Sequence, residues 1–131
     1  MVLSIFKGEI MKFSVLVAIV PEELEQDAID TAREQGAGGI TVLAGRGISN
    51  ETRKTFFGLT YDGSQSVLMM VLEKSLSLQV LKSLQLLLRP SEDDSRGIAF
   101  TIGLEHLAGI DLNQLDKFEQ QLFQQQLKDT L

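Results

Sequence analysis

The chain contains no cysteine and no tryptophan, and histidine occurs once, at His106. Without cysteine there are no disulfides, thiolate zinc sites, iron–sulfur clusters or cysteine nucleophile. A single histidine excludes a multi-histidine metal site within one chain. Cations are the minority, 12 Lys and Arg against 18 Asp and Glu, for a net charge of −6. A nucleic-acid surface needs the opposite balance, because its affinity comes mainly from phosphate neutralisation. No uninterrupted apolar run exceeds six residues, as in Val67–Leu72, where a membrane span needs about twenty. The first ten residues hold one cation, Lys7, and no small-residue cleavage pattern, so they do not read as a secretory signal. The expected location is the cytoplasm. Met11-Lys12 marks a second candidate start, so residues 1–10 read either as an N-terminal extension or as the result of a mis-assigned start.

What is present suits one domain: 131 residues, 44% apolar and 23% charged. Phe13–Val20 is apolar on both faces, with Val15, Val17 and Ile19 on one and Leu16, Ala18 and Val20 on the other. That pattern predicts a central strand. Pro21 stops it and opens a helix whose first turn carries Glu22, Glu23 and Glu25. Leu24, Ala28, Ile29 and Ala32 give its period, and Gly36 ends it. A short strand follows over 39–43, then a polar, glycine-bearing loop over 44–63, then an apolar strand over 66–72. Ser77 is the expected N-cap of a helix over 78–88, closed by Pro90. A strand over 97–104 and a helix from Asp111 or Asn113 to about Lys128 complete the chain.

This order is the split βαβ arrangement: an α+β, ferredoxin-like βαββαβ antiparallel sheet with an added C-terminal helix. Two helices cover one sheet face. The other, bearing the second apolar sides of the strands, requires a cover, either a further subunit or the C-terminal helix. The expected division is an extension over 1–10, a ferredoxin-like domain over 11–110 and the helix over 111–131.

Gly39-Ile-Thr41-Val42 after the first helix, the glycine-bearing loop after the second strand, and Gly97-Ile-Ala-Phe100 opening the last strand are similar to the nitrogen-regulatory P-II family. The similarity spans about Met11 to Ile110. It implies a cytoplasmic homotrimer with sheets facing inward that catalyses nothing. It also implies a small ligand in the clefts between subunits, and a T-loop that contacts a transporter, enzyme or regulator. By the resemblance, Thr41 and Gly47 lie where the family holds adenine and turns into the T-loop, and Gly97 at a glycine of the phosphate-binding B-loop. Arg89 and Arg96 are the cations nearest that loop.

The departures are chemical. The B-loop here reads Ser91-Glu-Asp-Asp-Ser-Arg-Gly97, with three acids. The family's lysine after its last glycine is replaced by Ile98, and its two later arginines fall at Gly109 and Asp111. A triphosphate needs cations and free backbone N–H groups. The expectation is therefore no ATP at the affinity of relatives and no cofactor, with an AMP-like or carboxylate ligand fitting better than a triphosphate and an empty cleft fitting better still. The T-loop, Gly47 to Gly58, is several residues shorter than in the nitrogen regulators. The family's modified tyrosine falls near Phe56, which has no hydroxyl to uridylylate.

Arg53, Lys54, Phe56 and Phe57 form a candidate partner-binding tip, cations beside aromatics; inward packing of the two phenylalanines is the plain alternative. Gly45-Arg46-Gly47 is a candidate ligand loop but reads more readily as a plain turn. His106 and Glu105 are adjacent on a strand and point to opposite faces, so they make no catalytic dyad. Glu92, Asp93 and Asp94 lack any EF-hand spacing and read as a solvated run, so no metal site is expected. Leu112, Leu115, Phe118, Leu122, Phe123 and Leu127 form a broad apolar stripe, expected to pack within the trimer. Two other readings stay open. One is a CutA-like trimer linked to divalent-cation tolerance, weakened by the lack of cysteine and the single histidine. The other is a small acylphosphatase-type enzyme, which needs an arginine cradle where Val20-Pro21-Glu22 offers an acid.

Overall fold

The computed structural model describes residues 12–47, 55–56, 59–60 and 64–109. Strand β1 (Phe13–Pro21) leads through a 3₁₀ turn (Glu22–Leu24) into helix α1 (Glu25–Glu34). Strand β2 (Thr41–Arg46), two short strands β3 (Thr55–Phe56) and β4 (Leu59–Thr60), and strand β5 (Ser64–Glu73) follow. Helix α2 (Lys74–Leu88) and strand β6 (Ile98–Gly103) complete the described chain. The four long strands form one antiparallel sheet in the order β2-β5-β1-β6. With the two helices on one face, this is the ferredoxin-like α+β fold expected.

Strand parity explains the layers, since alternate residues point to opposite faces. The even residues of the two central strands, Leu16, Ala18 and Val20 on β1 and Leu68, Met70 and Leu72 on β5, are buried beneath the helices. From α1 come Ala28 and Ala32, and from α2 Val80, Leu84 and Leu88.

The odd residues face away from the helices. Val17 lies opposite Met69 on one side and Phe100 on the other, and Val15 lies between Val71 and Ile102. Leu43 joins this face opposite Val67. Met69, Val71, Phe100 and Ile102 remain exposed, as does Leu43 at 49%. Among the described residues, the middle of this sheet face is apolar and largely uncovered. The doubly apolar strands predicted this.

Three local expectations are corrected. Glu73, not Ser77, caps α2: its carboxylate accepts from Ser75 N (2.8 Å) and Leu76 N (3.1 Å). The helix thus begins at Lys74, and Ser77 sits one turn in, its hydroxyl donating to Lys74 O (2.7 Å). The β2 strand runs on to Arg46, because Ala44, Gly45 and Arg46 find partners in Ser66, Gln65 and Ser64. Within the span read as a polar loop, Thr55–Phe56 pairs with Leu59–Thr60 as an antiparallel hairpin. The predicted helix over 111–131 and the extension over 1–10 lie outside the described residues.

Candidate functional site

The turn from α1 into β2 brings Gly39, Ile40 and Thr41 to one edge of the sheet. There they border a cavity of about 630 Å³, within the roughly 300–1,000 Å³ of small-molecule sites. Met69, Val71 and Val15 supply its floor. Its far wall is the chain leaving β6: Leu104 N donates to Phe13 O (2.9 Å), and Leu107, Ala108 and Gly109 then reach the cavity. Gly109 has a positive φ of 93°, a backbone shape that glycine adopts without strain. Among the described residues lining the cavity, Thr41 is the only polar side chain. The site is thus a largely apolar recess with one hydroxyl and backbone amides at its rim. It can hold a flat or small apolar body and fix it by a few hydrogen bonds. It holds no acid–base pair.

The other predicted ligand residues lie elsewhere. Gly97 precedes β6 and is packed hard against β1: a Cβ there would stand 2.7 Å from Ile19 O and 3.0 Å from Leu88 Cδ2. Packing by itself requires glycine at this position. Arg96 folds back onto the end of α2, its N donating to Leu88 O (2.8 Å) and its Nη2 to Leu87 O (3.1 Å). A cation on those carbonyls complements the helix dipole. Arg96 Nε is buried without a hydrogen-bond partner and stands 3.9 Å from Asp94 Oδ2. Arg89 Nη2 donates to Glu92 O (2.9 Å), and Asp94 N to Ser91 O (3.3 Å). The acidic loop is therefore tied into a turn by the very arginines nearest it.

Thr41 and Gly97 sit at opposite edges of the sheet, three strand spacings apart, about 14 Å. One protomer does not bring them to one small ligand. Gly47 is buried just past the end of β2. Phe56 lies on β3, while Arg53, Lys54 and Phe57 fall outside the described residues. Sequence reasoning missed the floor, Met69 and Val71, because these read as ordinary core of a central strand. Among the described residues no group of three or more His, Asp or Glu is placed to hold a metal ion, and no helix is long and apolar enough to cross a membrane.

No family model matches the chain, and no curated protein does. Solved structures share its fold. A PII-like signalling protein of Thermus thermophilus is 19% identical, with a TM-score of 0.55 over 72% of this chain and 88% of that one. CPII of Thiomonas intermedia, solved with ADP, AMP and acetate, is 16% identical, with a TM-score of 0.56 over 76% and 91%. Arabidopsis thaliana PII bound to citrate is 22% identical, with a TM-score of 0.52 over 70% and 77%. The fold is that of the PII-like signalling proteins.

Proposed function

We propose that this chain is a divergent PII-like regulatory protein that binds a small ligand and catalyses nothing. The observation that carries the reading is the recess at Thr41, set at the edge of a ferredoxin-like sheet whose second face is apolar and open. Solved proteins of this fold hold ADP, AMP and acetate in one case and citrate in another, which supports a ligand of that size here. In this reading the chain is a cytoplasmic homotrimer in which copies meet through the open sheet face. Such packing would bring the β2 edge of one copy, with Thr41 and Gly47, toward the β6 edge of the next, with Arg89, Arg96 and Gly97. The T-loop candidates Arg53, Lys54, Phe56 and Phe57 would then contact a transporter, enzyme or regulator in a nitrogen-type signalling pathway.

The ligand class follows from charge. Ile98, Gly109 and Asp111 stand where the P-II resemblance expects three cations, and each lost charge-assisted hydrogen bond removes about 1.5–3 kcal/mol. AMP or a carboxylate is the expected ligand class, and ATP is expected to bind at least roughly 1,000-fold more weakly than it would with those three cations. Calorimetric titration of the full chain with AMP, citrate and Mg-ATP tests this. Micromolar ATP binding would overturn the ligand class. Silence with all three would overturn the small-ligand reading.

A further inference from the structure

The floor of the Thr41 recess is a flat piece of sheet: Val15 lies opposite Val71, with Met69 next along the same face of β5. The Met69 thioether is a soft contact that favours an aromatic ring. Thr41 supplies one hydroxyl, and no described residue lining the cavity is charged. Lys12 and Lys74, joined by donation from Lys74 N to Lys12 O (2.8 Å), are not among the lining residues. We propose that the recess takes an uncharged planar body, a nucleoside or a heteroaromatic compound of that size, and that a phosphate or carboxylate attached to it adds no affinity. This rests on the small-ligand reading above and narrows it.

Charge carries the argument. An anion entering the recess gives up its hydration and meets no cation among the described lining residues, a net loss. A neutral ring gives up little and gains the apolar floor. An anionic group left outside the recess would meet, in the reading above, the loop after α2 of the next copy. The cations of that loop are already engaged. Arg96 Nη2 donates to Leu87 O, and its Nε is buried away from any ligand. Arg89 Nη2 donates to Glu92 O. Glu92, Asp93 and Asp94 are exposed in the same loop, so carboxylates outnumber cations there. The loop also follows the C-terminal end of α2, where the free carbonyls oppose a further negative charge. A phosphate in that place exchanges water for a loop of its own sign. The Thr41 hydroxyl and the backbone at Gly39 and Gly109 remain to orient an uncharged ligand by its polar edge.

Adenosine and AMP differ only in the phosphate, so the pair isolates its contribution. Both, with citrate in parallel, are titrated calorimetrically into the full chain at low and at high salt. Adenosine is expected to bind no more than about threefold more weakly than AMP. Salt is expected to move neither affinity, and citrate to give no binding heat. Thr41→Val keeps the shape of an exposed edge-strand side chain and removes its hydroxyl, and is expected to weaken adenosine and AMP alike, by about tenfold. A larger advantage for AMP, fading as salt rises, would overturn this inference and leave the small-ligand reading standing. Citrate binding without adenosine would do the same. An adenosine affinity unmoved by Thr41→Val would put the ligand elsewhere and overturn the assignment to this recess. Silence with all three would overturn the small-ligand reading, and this inference with it.

Discussion

The Ser66 hydroxyl donates to Glu25 Oε1 over 2.7 Å, joining the start of β5 to the first turn of α1. Ser66 is 3% exposed, so its hydroxyl has little access to water. Two otherwise unrelated features, an acid-rich helix start and a serine in an apolar strand, are thereby explained together. Glu25→Ala leaves a buried hydroxyl without its acceptor, at a cost of about 1–3 kcal/mol. Glu25→Gln keeps a carbonyl acceptor and is expected to recover most of that loss. Urea unfolding midpoints of the two variants provide the check, and equal midpoints would show that the contact carries no weight.

Glycines at the two edges of the sheet are expected to behave oppositely. A Cβ at Gly97 would meet Ile19 O at 2.7 Å, backbone that cannot step aside. Gly97→Ala therefore costs about 1–3 kcal/mol, as overpacking does. At Gly39 nothing lies within 4 Å of such a Cβ, so Gly39→Ala leaves stability unchanged or slightly raised by the stiffer unfolded chain. Thermal unfolding of both variants separates a packing glycine from a rim glycine.

Capping of α2 supplies another contrast. Glu73→Ala removes the one carboxylate oxygen that accepts from both first-turn amides and is expected to cost about 0.5–2 kcal/mol. The loss is read as a lower denaturant midpoint with an unchanged slope. Arg96→Ala removes the cation from the other end of the same helix, where Nη2 meets Leu87 O, and is expected to lower stability by about 1 kcal/mol. Arg89 is exposed and its contact is local, so Arg89→Ala is expected to stay within about 0.5 kcal/mol of the parent. If Arg96 also serves a ligand from a neighbouring copy, Arg96→Ala weakens AMP binding by more than its stability loss accounts for.

Assembly is expected to depend on the β6 half of the open face. Light scattering should give near three times 14.5 kDa for the parent. Phe100→Asp, at a position 38% exposed, places a charge where the copies would meet and not in the core. It is expected to yield a folded monomer with native circular dichroism. A parent that is monomeric at micromolar concentration would overturn the trimer.

Much of this was written in the order of residues. A strand apolar at every position between Val15 and Val20 can only lie between two covered or coverable layers, so the central place of β1 and the open face were both legible. The alanines at 28 and 32 and the leucines at 84 and 88 announced their helices by period alone. The cap of α2 was not legible. Ser77 is a better N-cap residue by type, but the end of β5 delivers Glu73 to the free amides of Ser75 and Leu76 first. Gly97 carried a similar ambiguity: a glycine beside a loop reads as a ligand contact, and its real constraint, the carbonyl of Ile19, belongs to a strand 78 residues earlier. The Thr41 recess needed four segments distant in sequence to converge on one edge, which no local pattern records. Periodicity determines which faces are apolar, because it depends only on neighbours along the chain. Tertiary structure alone decides which apolar residues become core and which become the floor of a site, because that depends on what the fold leaves uncovered.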